Sequence, residues 1–124
     1  MSIVDSLREN ALADNELLRK NDARGDVFDK PRDVDFAFKT NDKERAESLC
    51  EFVKGMNFGS PSVTLGDDGV YWIVNVIQMP ITQHLLCSVS GFMVCLGRLF
   101  QVEYDGWGSI IQSRAVVASG MEFR

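Results

Sequence analysis

His84 is the only imidazole in the 124-residue chain, and an imidazole acting as a general base needs a nucleophile held within hydrogen-bond reach. No serine or cysteine stands in a recognisable nucleophile motif, so His84 reads as a solvated residue in the first turn of a helix. The aspartates at 22, 26, 29, 33 and 35 are a second candidate group. Carboxylate oxygens are what a hard divalent cation takes, but this spacing is not that of an EF-hand loop. Arg24, Lys30 and Arg32 lie among them as ready ion-pair partners. The stretch "GSPSVTLGDDG" at 59–69 has glycines but neither a phosphate-loop pattern nor a dinucleotide fingerprint opening a helix. With no HExxH and no paired Cys-His spacing, neither a metal nor a cofactor is expected.

The densest concentration of functional side chains is "EYDGWG", residues 103–108. Gly106 and Gly108 allow a positive φ or a bulge, which would re-aim a strand and place Tyr104 and Trp107 on chosen faces. Tyr and Trp join a large apolar area to a polar handle and are enriched in interface hot spots. Chemistry by Asp105 would need a partner that the sequence does not identify. The run is therefore a structural corner, a binding surface or both.

Composition narrows the classes. A formal charge of -5 and a pI near 4.8 oppose direct binding to nucleic acid, because phosphate contacts draw on clustered Lys and Arg. The same charge favours encounter with a basic protein surface. With 45% apolar and 25% charged residues, the chain has the balance of a folded protein with a core. Cys50, Cys87 and Cys95 are odd in number and form no CxxC pair, so free, buried thiols in a reducing compartment are expected. Asp5, Arg8 and Glu9 interrupt the N-terminus where a signal peptide needs an apolar run. No unbroken run of 18 apolar residues occurs, so no membrane span and a cytoplasmic location are expected.

The elements that must position these residues follow from periodicity. Residues 3–20 read as a helix on Val4, Leu7, Ala11 and Leu18, with Asp14 where the stripe predicts an apolar residue. After a turn-rich stretch through Pro31, Val34, Phe36 and Phe38 alternate with Asp33, Asp35 and Ala37 as in a half-buried strand. Asn41 and Glu44 resemble a capping box opening a helix with Ala46, Leu49, Cys50, Val53 and Met56 on one face, ending at Gly55 or Gly59. Residues 62–65 and 70–77 read as a hairpin closed by Gly66-Asp67-Asp68-Gly69. Thr82 caps a helix whose apolar stripe is Leu85, Val89, Phe92, Leu96 and Leu99; Gly91 and Gly97 within it hint at close approach to another backbone. Val102 and Tyr104 open a last strand, and residues 113–124 stay unassigned.

Strand, helix, strand, strand, helix, strand is the order of a ferredoxin-like α+β sandwich, βαββαβ. That fold has a four-stranded antiparallel sheet with two helices on one face, and here it carries an additional N-terminal helix. One domain over 1–124 is expected, its core at about 32–112 and its C-terminal tail short.

"EYDGWG" after an amphipathic helix, with "PRDVDF" at 31–36 and "WIVNVIQMPIT" at 72–82, resembles the RraB family, bacterial protein inhibitors of ribonuclease E. The resemblance covers about residues 5–112. It implies a ferredoxin-like domain and a regulator of RNA degradation that binds a ribonuclease instead of being one. On the motif positions it implies Arg32, Asp33, Asp35, Tyr104, Asp105 and Trp107 as partner-binding residues, with Gly106 and Gly108 as turn residues. Members of the family follow this strand with a strongly acidic extension, whereas "SIIQSRAVVASGMEFR" carries Arg114 and Arg124 and one acid, Glu122. If such an extension engages a basic partner, this chain binds it more weakly or binds something else.

Two classes of function follow. The first is an inhibitory module binding ribonuclease E or another basic protein. The alternative is a ligand-sensing or other interaction module on the same fold, in which Asp67 and Asp68 would rim a polar pocket. Sequence leaves the oligomeric state open.

Overall fold

The computed structural model describes residues 2–113; the tail expected after them lies outside the described residues. In chain order the elements are α1 (Ile3–Ala23), β1 (Arg32–Thr40), α2 (Lys43–Met56), β2 (Ser60–Leu65), β3 (Tyr71–Met79), α3 (Gln83–Phe100) and β4 (Glu103–Ser109). All pairings are antiparallel and the sheet order is β2-β3-β1-β4. This is the ferredoxin-like arrangement with an N-terminal helix in addition.

β1 is the strand that its alternation predicts: Val34, Phe36 and Phe38 are fully buried while Asp33 and Asp35 are exposed. Across it, Ile73 and Met79 of β3 and Trp107 of β4 supply the same buried face, on which α2 and α3 lay Ala46, Leu49, Val53, Leu86, Met93 and Leu96. Each large side chain removed from water here is worth roughly 1.5–3 kcal/mol. α1 packs on α3 in the helical layer. Among the described residues no helix crosses the opposite face of the sheet.

Several local expectations shift. α2 is capped by Asp42 rather than Asn41: the Asp42 Oδ1 accepts from Arg45 N at 3.2 Å, while Thr40 Oγ1 accepts from the Asp42 amide at 3.1 Å. It ends at Asn57 in the left-handed region, φ 60°, a conformation asparagine tolerates better than most residues. Thr82 holds the N-cap position of α3 without a side-chain bond. The stripe of α3 is rotated by about one residue, with Leu96 buried and Val89 packed on the core as expected. Leu86, Ser90, Met93, Val94, Leu96 and Gly97 are buried, whereas Leu85, Phe92 and Leu99 are exposed. The helix is apolar most of the way round, so periodicity alone could not choose its inner face.

Length and composition would let α3 cross a membrane, although the sequence has no unbroken apolar run of that length; its inner face packs against the sheet and α1 instead. A glycine selects that face. A Cβ on Gly97 would lie 2.9 Å from the Val102 carbonyl oxygen, so only glycine lets the helix end fold back onto the start of β4. Gly91 is less constrained, since its nearest neighbour would be Leu7 at 3.6 Å.

β4 contains a bulge. Ala37 faces Gly106 and Phe38 faces Tyr104, which leaves Asp105 as the extra residue, and Gly106 has φ +102°. Gly106→Ala is expected to cost about 1–3 kcal/mol, the strain of a sparsely populated backbone region. Gly108→Ala, which has no positive φ and open space at its Cβ, should change stability by no more than about 0.5 kcal/mol. Urea unfolding of the two variants reads the contrast.

Candidate functional site

Along a regular strand Tyr104 and Trp107, three positions apart, would point to opposite faces. The bulge removes that mismatch by adding one residue, so both rings turn to the helical side. Tyr104 lies 5.3 Å from the ring of Phe38, tilted by 49°, and Trp107 is buried opposite Phe36.

Beneath them lies Asp14 of α1, 3% exposed, at the position where the stripe calls for an apolar residue. Its Oδ1 accepts from Trp107 Nε1 and from Ser90 Oγ, each at 3.1 Å, and its Oδ2 accepts from Asn10 Nδ2 at 3.2 Å. The single Ser90 proton therefore goes to the carboxylate. The serine oxygen accepts from Asn10 Nδ2 at 3.0 Å and from the Tyr104 hydroxyl at 2.9 Å. Burial pushes the Tyr104 phenol well above its ordinary range, despite the opposing effect of the hydrogen bond it shares with Ser90, so it stays protonated and able to donate. Burial also raises the Asp14 carboxyl above its usual 3.8, partly offset by its bonds from Ser90 and Trp107. Burial and the neighbouring Asp14 raise the half-buried thiol of Cys87.

These groups join α1, α3 and β4 through their polar atoms. Ser90 is fully buried and its proton is held by a carboxylate, so the trio of Ser, Asp and Tyr offers no exposed nucleophile. Its chemistry is that of a joint. The signal that could have found it is the misplaced Asp14, since a buried acid must recruit donors.

A second polar joint forms at Arg32, 5% exposed. Its Nη1 lies 2.8 Å from both carboxylate oxygens of Asp26, and its Nη2 and Nε donate to the carbonyls of Val27 and Lys30 at 2.8 and 3.1 Å. Asp26 also accepts from the Gln112 amide at 3.1 Å. The pair thus ties the loop before β1 to the segment after β4. Of the five aspartates weighed for a cation, this one is buried in an ion pair and the other four are exposed. Among the described residues no three His, Cys, Asp or Glu side chains converge on a point that could hold a metal.

The other side of β1 and β4 is charged and open. Lys39 lies 3.4 Å from Asp105 Oδ1 and 3.6 Å from Glu103 Oε2, and 5.6 Å from the centre of the Trp72 ring. Asp105 first, and Glu103 after it, raise the Lys39 ammonium pKa, so it stays charged. Of the six residues implied as partner contacts, Asp33, Asp35 and Asp105 are exposed on this side. Tyr104 is half-buried, and Arg32 and Trp107 are buried with their polar atoms engaged inside the molecule. His84 is exposed in the first turn of α3, and the three cysteines are free and half-buried rather than fully buried.

Asp14 gives a pH signature. Its native pKa is raised, so the folded state holds the proton that the unfolded state releases. The stability this contributes is complete below the usual carboxylate value near 3.8 and is lost as pH rises through the raised native value. Relative to Asp14→Asn, the wild-type protein should therefore gain stability as pH is lowered from 7 toward 4. Asp14→Leu, which strands the donors of Trp107 and Ser90, should lose about 2–4 kcal/mol at pH 7 and more as pH is lowered. Denaturant melts of the three proteins at several pH values check both outcomes.

The family model described as RraB, regulator of ribonuclease activity B, matches residues 12–109, from the middle of α1 to the end of β4. The match includes Asp14, Ser90, Arg32 and the whole of EYDGWG. No curated protein matches the chain. RraB is a family of regulators rather than of catalysts. Since the match takes in Asp14, Asp26, Arg32, Ser90 and Trp107, the whole sheet, α2, α3 and half of α1, the chain belongs to the RraB family of regulators of ribonuclease activity.

Proposed function

We propose that this protein binds the endoribonuclease ribonuclease E in the cytoplasm and lowers its cleavage activity, without catalysing a reaction of its own. The observation that carries this reading is the family match over residues 12–109. Two physical features support it. The net charge of -5 favours encounter with a basic surface on a nuclease that must itself hold RNA. Ser90, which donates to the Asp14 carboxylate, is sealed inside the fold, so this polar cluster serves packing.

The ligand-sensing alternative draws no comparable support. The Asp68 Oδ1 accepts from the Val70 amide at 3.0 Å, and the backbone of Gly66 bonds Val70 and Gly69 at 2.9 and 3.1 Å. That aspartate serves its own turn.

Added to ribonuclease E and a substrate RNA, the purified protein should slow cleavage in proportion to complex formed. Binding measured by biolayer interferometry should weaken severalfold as ionic strength passes about 0.1 M, where the screening length is about 10 Å. Unchanged cleavage at a large molar excess would overturn the proposal.

A further inference from the structure

The face of the sheet turned away from the helices is lined, strand by strand, by Ser60, Ser62 and Thr64 of β2, then Trp72, Val74 and Val76 of β3. Asp33, Asp35, Ala37 and Lys39 of β1 follow, with Glu103 and Asp105 of β4. The placement follows from register: Ala37 stands opposite Val74, Asp35 opposite Val76 and Gly108, and Lys39 opposite Trp72 and Glu103. It is a shallow apolar strip along β3, bordered by hydroxyls on one side and carboxylates on the other.

Four of these residues are acids and one is a cation. Lys39 is already shared between Glu103 and Asp105 and lies 5.6 Å from the Trp72 ring. Asp33 and Asp35 are exposed and have no ion-pair partner among the described residues. An acidic strip repels nucleic acid and, at neutral pH, a second copy of itself. It suits guanidinium groups, which pair with carboxylates in a fixed fork while their stems cover apolar surface and their planes stack on aromatic rings. The Lys39 contact shows the Trp72 ring accepting a cation at its face.

We infer that this open sheet face is the docking surface, and that its occupant is an arginine-rich, extended segment of a protein partner lying along β3 with its cations over Asp33 and Asp35. The inference rests on the reading of the protein as a binding regulator and adds the surface and the chemistry of the segment bound there.

The test uses the full chain and two probes: a labelled dodecapeptide of alternating arginine and leucine, and ribonuclease E. The wild type is compared with Asp33→Lys/Asp35→Lys and with Glu47→Lys/Glu51→Lys. The second pair lies exposed on α2 and makes the same change in net charge, from -5 to -1 (two reversals of +2 each). Circular dichroism confirms that each variant is folded.

The expected result is a loss of at least about tenfold in peptide affinity for the β1 variant and less than about threefold for the α2 variant. Equal losses in both would mean attraction by overall charge alone and would overturn the inference, as would wild-type protein that does not bind the peptide. If the peptide discriminates but ribonuclease E is neither bound nor inhibited, the docking face stands and the proposed partner fails. If all three proteins bind ribonuclease E equally, the partner stands and the face is wrong.

Discussion

A buried carboxylate, held by hydrogen bonds rather than by a counter-charge, organises this molecule. Removing Asp14 from water would cost several kcal/mol if its oxygens were left bare. The donors of Ser90, Trp107 and Asn10 offset that cost, and each comes from a different place in the chain or a different turn of α1. The network is directional where apolar packing is not. It fixes the rotation of α1 on α3, acts with Gly97 to set which face of α3 turns inward, and requires Trp107 to point at the helices. The bulge at Asp105 and Gly106 is the backbone's answer to that last demand, because without an extra residue Tyr104 and Trp107 would face opposite ways.

The consequence is a molecule with two unlike sides. On the helical side, the aromatic residues of EYDGWG are drawn inside, and the Arg32–Asp26 pair closes the other end of the same strands. A buried pair of this kind is weak evidence for added stability but strong evidence for a fixed geometry, since losing one partner strands the other charge. On the far side the same strands present Asp33, Asp35, Glu103 and Asp105. One six-residue motif thus divides its work by face: its rings assemble the protein and its acids remain outside. The division leaves a packed aromatic and polar interior on one side of the sheet and a charged, open surface on the other.

Legibility in the sequence followed the strength of the local pattern. β1 was readable because three apolar residues alternate with polar ones over a half-buried strand, and the inner face of α2 was readable as far as Ala46, Leu49 and Val53, which charged residues surround, whereas Met56, expected on the same face, is exposed at the helix end. The stripe of α3 was not, because Leu85, Phe92 and Leu99 are as apolar as the residues that are buried. Its inner face contains Ser90 and Gly97, which no hydrophobicity count selects. Within the candidate site, the exposed aspartates of β1 were legible by parity. The burial of Arg32 was not, because its partner Asp26 lies in an irregular loop.

The sequence by itself determined the order of elements, the fold class, the acidic character and the likeness to a family of ribonuclease regulators, since all of these are carried by local periodicity, composition and a short motif. Only the tertiary structure decided what Asp14 is for, which way the two rings of EYDGWG point and which face of the sheet is left open. The physical reason is that an acid off its stripe at residue 14 signals a need for donors, but nothing along the chain names residue 107 as one of them. The bond between the two exists only once the helix and the strand that carry them have met.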